Sequence, residues 1–200
     1  MTRLLLASGN AKKLGELRRI LAEQLPGVEV VGLTDVPAYD EPVEDQPTFE
    51  GNALLKARAG YARTGLPCVA DDSGLCVEAL NQMPGVLSAR WAGKPRDDDR
   101  NNLLLLDQLS DVPHERRGAH FACALAFVHD GGETVVLGTM PGRIIHEQRG
   151  VGGFGYDVVF AADAHPDVTT AELTSDQKDA ISHRGAALRE LVPHLVATLT

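Results

Sequence analysis

The stretch CVADDSGL at residues 68–75 decides how the fold is interpreted. Its apolar start at residues 68–70 predicts a buried strand, and the strand is predicted to end in a turn at Ser73–Gly74. The carboxylates Asp71 and Asp72 then stand at a strand end, which is where α/β folds place their chemistry. Neighbouring like charges repel each other unless they stay solvated or share a cation such as Mg²⁺. A metal site and an ordinary Asp/Ser/Gly turn therefore both remain open here.

Strands and helices alternate on both sides of this stretch. Apolar runs between glycine and proline breaks predict strands at residues 4–7, 28–31, 120–128, 134–140, 143–146 and 158–160. Helices are predicted at residues 14–25, from a cap at Thr48 to about Arg63, from acidic caps at 97–99 to Leu109, and at 185–199. The strands separated by Gly131–Gly132 and Pro141–Gly142 are expected to be antiparallel neighbours. Helices at both ends and a hairpin-rich middle predict an α/β fold with a mixed sheet.

Composition limits the classes of protein to consider. A length of 200 residues, with 44% hydrophobic and 24% charged residues, predicts a single domain over residues 1–200 with a sizeable core. The net charge of -9 disfavours duplex nucleic acid as a partner, because phosphate neutralisation needs a basic face. The apolar stretch at residues 4–7 is too short for a signal peptide or a membrane span, so we expect a cytoplasmic protein without a membrane partner. Cys68, Cys76 and Cys123 lack CxxC spacing and are expected to be buried, reduced thiols.

Three further motifs carry groups suited to a nucleotide. SGNAKK at residues 8–13 is a strand-to-helix turn that can bind phosphate, although a capped helix with solvated lysines explains it as well. GGFGYD at residues 152–157 joins close-approach glycines to two aromatic faces that suit a base, or forms a glycine turn with core aromatics. SHRG at residues 182–185, with Lys178, gathers cations and an imidazole at a helix start, which also describes a solvated surface.

Taken in order, the motifs closely resemble the inosine triphosphate pyrophosphatase family, also called XTP/dITP diphosphatases. The matching segments are SGNAKK at 8–13, TFEGNALLKAR at 48–58, VADDSGL at 69–75, PGVLSARWAG at 84–93, GGFGYD at 152–157 and SHRG at 182–185. The resemblance covers nearly the whole chain. It implies Mg²⁺-dependent hydrolysis of ITP, dITP and XTP to the nucleoside monophosphate and pyrophosphate, which cleanses the nucleotide pool. It also implies an elongated α/β fold, with flanking helices and two lobes around a central substrate cleft, and a homodimer.

The resemblance implies a role for each site residue. Asp72 corresponds to the catalytic proton acceptor, and Glu44 and Asp72 correspond to the Mg²⁺ ligands, with Asp71 in the same acidic cluster. The implied phosphate-binding loop consists of Ser8, Gly9, Asn10, Ala11, Lys12 and Lys13. The other implied substrate contacts are Ser73, Phe154, Gly155, Tyr156, Asp157, Lys178, His183 and Arg184.

Two positions depart from the family pattern, and two other functions compete. Val158 stands where relatives commonly have proline, and Gly51 stands where many carry an acid, which weakens the capping box of the helix at Thr48. A Maf-like pyrophosphatase of other modified nucleotides is the first alternative, and the motifs at 152–157 and 182–185 argue against it. The second is a nucleotide-binding regulator without turnover, which the full set of charged site residues argues against.

Overall fold

The computed structural model describes residues 2–9, 14–15, 17–18, 21–22 and 25–200, and its strands form one six-stranded sheet. The strands are β1 (Thr2–Leu6), β2 (Val28–Val31), β3 (Cys68–Val77), β4 (Gly118–His129), β5 (Gly132–Ile144) and β6 (Phe160–Ala162). Their order in the sheet is β2-β1-β3-β4-β5-β6. β1 is parallel to β2 and to β3, whereas β5 and β6 are antiparallel. The predicted mixed sheet is thus confirmed.

Four helices have both ends within the described residues. They are α1 (Phe49–Thr64), α2 (Asp98–Gln108), α3 (Ser175–Ile181) and α4 (His183–Leu199), and the described residues between 14 and 22 are also helical. The Thr48 hydroxyl accepts a hydrogen bond from the Gly51 N–H at 3.0 Å, and Gly65 ends α1 in the left-handed conformation with φ 68°. Asp97 caps α2 by accepting from the Arg100 N–H. Both caps are at the predicted positions. No helix within the described ranges has the length and apolar character needed to cross a membrane.

β3 does not end at the predicted turn, so that prediction is wrong. The strand continues through Ser73–Gly74 to Val77. A Cβ added to Gly74 would lie 2.6 Å from the Gly85 carbonyl oxygen and would also meet the Ser88 hydroxyl. This glycine therefore permits close packing of another segment on a continuous strand, rather than a change of chain direction.

β5 is also one strand where two were predicted. It runs through Pro141–Gly142 to Ile144, and the separate strand predicted at 143–146 is wrong. A Cβ on Gly142 would meet the Ala161 carbonyl oxygen, so glycine allows β6 to pair closely here. The strand predicted at 158–160 instead begins at Phe160, after a 3-10 turn over Asp157–Val159.

The chain divides into two compact units, and each has its own apolar core. The first unit comprises residues 1–72, 123–138 and 186–200. Its core is formed by side chains of β1, β3, β4 and α4 together with Leu17, Leu21 and Leu25 of the N-terminal region. Fully burying one such leucine or phenylalanine contributes about 1.5 to 3 kcal/mol.

The second unit comprises residues 73–122 and 139–185, and its core joins α2 to β3, β4 and β5. Arg117 is its largest buried polar side chain, only 1% exposed. The guanidinium donates hydrogen bonds to the carbonyl oxygens of Leu109, Val112 and Ile145 at 2.5 to 3.0 Å. Burial lowers the pKa of Arg117, and these three acceptors compensate for the lost hydration. Whether the two units act as the single domain expected from the length stays a prediction.

Candidate active site

A cluster of charged and amide side chains forms in the first unit, and we call Glu44, Asn52, Lys56 and Asp72 the carboxylate cluster. The Lys56 ammonium lies 2.7 Å from Glu44 Oε1 and 3.9 Å from Asp72 Oδ1. The Asn52 amide donates to Asp72 Oδ2 at 3.0 Å. A positive charge therefore already lies between the two carboxylates implied as metal ligands.

The positions of these side chains follow from local structure. Asn52 and Lys56 are four residues apart on α1, so they share one face of the helix. Asn52 Oδ1 accepts from the Gln46 N–H at 3.0 Å, which ties the loop carrying Glu44 to the same helix. Asp72 is supplied by β3. One helix thus fixes a loop and a strand around its polar face.

The surroundings of Asp72 have opposing effects on the pKa of its carboxyl group. Its side chain is 13% exposed, and burial is the main cause that raises its pKa above the ordinary value. Glu44 and Asp71 raise the pKa further, whereas Lys56 and the hydrogen bond from Asn52 lower it. A carboxylate with a raised pKa is a stronger proton acceptor than a solvated one. Asp72 therefore has the electrostatic setting of a general base.

The donor set suits a divalent cation that arrives with a phosphate ligand. Within the described part of the chain, no three or more His, Cys, Asp or Glu side chains are placed to hold a metal ion together. Mg²⁺ is usually bound through one or two carboxylates, with water and substrate phosphates as the remaining ligands. Glu44 and Asp72 provide that number of carboxylates around a position where a cation is accepted.

The implied phosphate loop begins beside this cluster. β1 is parallel to β3, with Leu6 paired to Val69, so Ser8–Gly9 and Asp71–Asp72 follow that pair at the same level of the sheet. The other four residues of the loop, Asn10, Ala11, Lys12 and Lys13, lie outside the described residues, and their roles stay predictions.

In the second unit the GGFGYD motif wraps around the Asp157 carboxylate. Asp157 is 3% exposed. One oxygen accepts from the Phe154 N–H at 2.9 Å and from the Lys178 ammonium, and the other accepts from the Thr170 hydroxyl at 2.8 Å. Lys178 also lies 5.3 Å from the centre of the Phe154 ring. Asp157 thus holds the loop and Lys178 together.

The two aromatic residues of this motif have different environments. Phe154 is 59% exposed, so its ring is available for stacking on a base. Tyr156 is buried, its hydroxyl donates to the Ser88 carbonyl oxygen at 2.8 Å, and burial raises its pKa. Between them, Gly155 has φ +61°, donates a hydrogen bond to Asp98 and accepts one from Asn102, both on α2. Of the two rings, Phe154 alone has the exposure expected of a base contact.

The SHRG motif joins two helices and contacts β3. The Ser182 hydroxyl accepts from the Gly185 N–H at 3.0 Å and so caps α4. The Arg184 guanidinium donates to the Ser73 hydroxyl at 3.3 Å. The His183 ring stacks on Phe121, with ring centres 5.1 Å apart. Ser73 and Arg184, both implied as substrate contacts, are therefore neighbours.

Four residues of these clusters were missed in the sequence. Asn52 and Lys56 lie inside the TFEGNALLKAR motif, and their spacing of four on a predicted helix was a usable signal. Asp98 and Asn102, which hold Gly155, have the same spacing in the segment DDDRNN, but their partners are backbone groups, which the sequence does not distinguish.

Comparison with known proteins places these features in a family. A family model described as the Ham1 family matches residues 4–194. A Nocardia farcinica protein named dITP/XTP pyrophosphatase is 63% identical over 199 residues, which are 98% of this chain and 96% of that protein. A Cutibacterium acnes protein of the same name is 56% identical over 100% of this chain and 98% of its own length.

Comparison with solved structures identifies the same family as the sequence comparison. A Mycobacterium abscessus structure described as a nucleoside-triphosphatase, dITP/XTP pyrophosphatase, has a TM-score of 0.84 and 55% identity, covering 96% of this chain and 100% of that one. The Staphylococcus aureus Ham1 protein has a TM-score of 0.90 and 35% identity, covering 98% of this chain and 99% of its own. The mixed sheet with flanking helices is the fold of both.

Proposed function

This chain belongs to the Ham1 family, and on that premise we propose that it is a dITP/XTP pyrophosphatase. It hydrolyses ITP, dITP and XTP to the nucleoside monophosphate and pyrophosphate, and so removes non-standard purine nucleotides from the pool. Relatives named for this activity match 98% and 100% of the chain at 63% and 56% identity. The observation that carries the chemistry is the carboxylate cluster, where Lys56 lies between Glu44 and Asp72.

The reaction begins with a charge problem. A nucleoside triphosphate carries about four negative charges near neutral pH, judging from phosphate second pKa values near 6. Mg²⁺, the cofactor we propose, would be held by Glu44 and Asp72 and would neutralise phosphate charge. Lys56 adds a permanent cation beside the same carboxylates, and Lys13 and Lys178 are assigned to the remaining phosphate charge.

Asp72 acts on the attacking water. The water oxygen forms a bond to the α-phosphorus while the bond from that phosphorus to the bridging oxygen breaks, and pyrophosphate leaves. The proton lost by the water passes to Asp72, whose Oδ2 is fixed by Asn52. Asn52 and Lys56 thus orient the base from one face of α1.

Base selection is assigned to the second unit. Phe154 supplies a stacking face, and donors from His183, Arg184 or backbone N–H groups satisfy the 6-oxo group of hypoxanthine or xanthine. The 6-amino group of adenine would leave such donors unpaired, a loss of about 1 to 3 kcal/mol for each. ITP is therefore expected to be cleaved in preference to ATP.

A product assay tests the activity. The protein is incubated with ITP, XTP, dITP, GTP and ATP in the presence of Mg²⁺, and pyrophosphate is distinguished from orthophosphate. We expect pyrophosphate from the first three nucleotides. Release of orthophosphate alone, or equal turnover of ITP and ATP, would refute the proposal.

A substitution tests the role of Asp72. Asp72→Asn keeps an acceptor for Asn52 but removes the base, so turnover should be lost while ITP binding by calorimetry remains measurable. Asp130→Asn is the control, because its side chain is 95% exposed. Normal turnover in the Asp72 variant would exclude that residue as the base.

We also propose a homodimer with no nucleic-acid or membrane partner, acting in the cytoplasm. The proposal follows the family resemblance and the net charge of -9. Sedimentation at micromolar concentration tests the dimer, and a monomer there would contradict it.

A further inference from the structure

Two side chains of α2 form hydrogen bonds with a single residue of the GGFGYD loop, Gly155. Asp98 Oδ2 accepts from the Gly155 N–H at 2.7 Å, and the Asn102 amide donates to the Gly155 carbonyl oxygen at 2.9 Å. Asp98 and Asn102 are four residues apart and share a helix face. The two hydrogen bonds fix the peptide groups on both sides of the Gly155 Cα.

Fixing these peptide groups also fixes the aromatic residues next to them. Gly155 has φ +61°, one of many conformations that glycine adopts without strain, so its hydrogen-bond partners select this conformation. The Gly155 N–H belongs to the peptide that follows Phe154, and the Phe154 N–H is bound by Asp157 at 2.9 Å. Phe154 is therefore held at both of its peptide groups although its ring is 59% exposed.

The same helix also holds the segment against which Tyr156 packs. Asn101 accepts from the Ala92 N–H at 2.7 Å and donates to the Ser88 carbonyl oxygen at 3.4 Å. That carbonyl oxygen also accepts from the Tyr156 hydroxyl at 2.8 Å. Successive asparagines of α2 thus support both aromatic neighbours of Gly155.

The side-chain amide of Asn102 has a hydrogen-bond acceptor that the loop does not use. The residue is 1% exposed, and within the described part of the chain its Oδ1 atom has no hydrogen-bond partner. A buried acceptor left unpaired costs free energy and is found in few places in native proteins. An apolar side chain would avoid the cost of the unpaired oxygen but would also lose the bond that the Asn102 NH₂ group makes to Gly155.

We propose that Asp98 and Asn102 are positioning residues that set the orientation of Phe154 and thereby the selectivity for the purine base. The inference rests on the proposed function, because Phe154 is assigned there to base stacking. A ring fixed at both peptide groups presents one face to the base, and the donors for the 6-oxo group can discriminate only if the base is held in one orientation. Without the two bonds, Phe154 would still be exposed but would stack in several orientations.

The test uses Asp98→Ala with two matched variants. Asp98→Asn keeps an oxygen that can accept from the Gly155 N–H, and Asp99→Ala removes the same charge from the same turn of α2. For each protein we would measure KM and kcat for ITP, the ratio of kcat/KM between ITP and ATP, and inhibition by inorganic tripolyphosphate. Thermal unfolding checks that the variants are folded.

Asp98→Ala should raise the KM for ITP about tenfold, as expected for losing a hydrogen bond to a charged group, and should lower the ITP/ATP ratio. Tripolyphosphate has no base, so its inhibition constant should stay at the wild-type value. Asp98→Asn should restore the KM and the ratio, and Asp99→Ala should leave both unchanged. A purely structural role would reduce kcat and stability without changing the ITP/ATP ratio.

Asn102 provides an independent variant. Asn102→Asp keeps the shape of the side chain but replaces the donor with an acceptor, so it should reproduce the change in KM and ratio.

An unchanged ITP/ATP ratio in folded Asp98→Ala and Asn102→Asp proteins would overturn the inference. A wild-type protein that releases no pyrophosphate from ITP would instead overturn the proposed function, and the inference with it.

Discussion

Replacing Lys56 by methionine tests the carboxylate cluster without measuring activity. Among the described residues, Lys56 is the cation nearest to Glu44 and Asp72, at 2.7 and 3.9 Å, and Asp71 is a third acid in the same region. Methionine keeps the length and apolar stem of lysine but leaves these carboxylates without their ammonium group. We expect the variant to be less stable when no divalent cation is present.

The size of the loss follows from distance and exposure. A hydrogen bond between charged groups contributes about 1.5 to 3 kcal/mol, whereas an exposed ion pair contributes about 0 to 1 kcal/mol. The side chains of Lys56 and Glu44 are 13% and 30% exposed, so the pair lies between these cases. A loss of about 2 kcal/mol corresponds to a fall in Tm of about 4 to 8 °C for a chain of this size.

Arg58 is a matched control on the same helix. Its guanidinium makes two hydrogen bonds of 2.7 Å to Glu133, but the two side chains are 58% and 36% exposed. Arg58→Met should therefore cost less than about 1 kcal/mol despite the better geometry.

Thermal and denaturant unfolding, with a chelator and then with saturating Mg²⁺, provides the measurement. Mg²⁺ should restore part of the stability of Lys56→Met, because a cation can replace the ammonium between Glu44 and Asp72. A recovery of 1 kcal/mol requires a free concentration about four times the Kd. Arg58→Met should not respond to Mg²⁺ beyond the wild-type response. Equal losses in both variants, or no recovery of Lys56→Met in Mg²⁺, would refute the reasoning.

Three further outcomes are expected. Arg117→Met should lower the free energy of unfolding by at least about 3 kcal/mol in denaturant titrations, since three carbonyl oxygens lose their donor, and Arg117→Lys should not restore it. Burial raises the pKa of the Cys68 thiol to about 12, so mass spectrometry should find no alkylation of Cys68 near neutral pH until the protein unfolds. Burial, with Cys68 and Glu41, also raises the pKa of Tyr39 from 10.0 to about 12. The folded chain then keeps this proton longer than the unfolded chain, so stability is lost as pH rises from about 10 to 12, and Tyr39→Phe should reduce that loss in denaturant titrations across this range.

Local signals in the sequence located most elements, and non-local packing explains the errors. The caps at Thr48 and Asp97 were found because each hydrogen bond spans three residues. The turns predicted at Ser73–Gly74 and Pro141–Gly142 were wrong because composition does not distinguish a glycine that reverses the chain from one that admits a neighbour. Gly74 admits the segment around Ser88, which no local pattern identifies.

The same distinction applies to the candidate site. The resemblance of the ordered motifs predicted Glu44 and Asp72 as site residues. In the structure, the two carboxylates lie 2.7 and 3.9 Å from the Lys56 ammonium. The spacing of Asn52 and Lys56 was sufficient to place them on one helix face, so those two were predictable. Asp98 was not predictable, because its partner is the backbone N–H of a residue 57 positions away. Every residue except proline has such a group, so the sequence does not indicate which one is bound.

Two aspartate–lysine pairs occur among the residues that the structure describes, and their hydrogen bonds show which one is suited to chemistry. Asp157 and Lys178 are in contact, but the Asp157 oxygens also accept from Phe154 and Thr170, so donors of the protein itself occupy both. Among the described residues, Asp72 accepts one hydrogen bond, from Asn52 to Oδ2, and its Oδ1 has only the Lys56 ammonium at 3.9 Å. A carboxylate oxygen without a close donor can accept a proton or a metal ion, whereas a fully bonded one keeps a loop in place. The aspartate with fewer hydrogen bonds is therefore the one that we propose as the base for the attacking water.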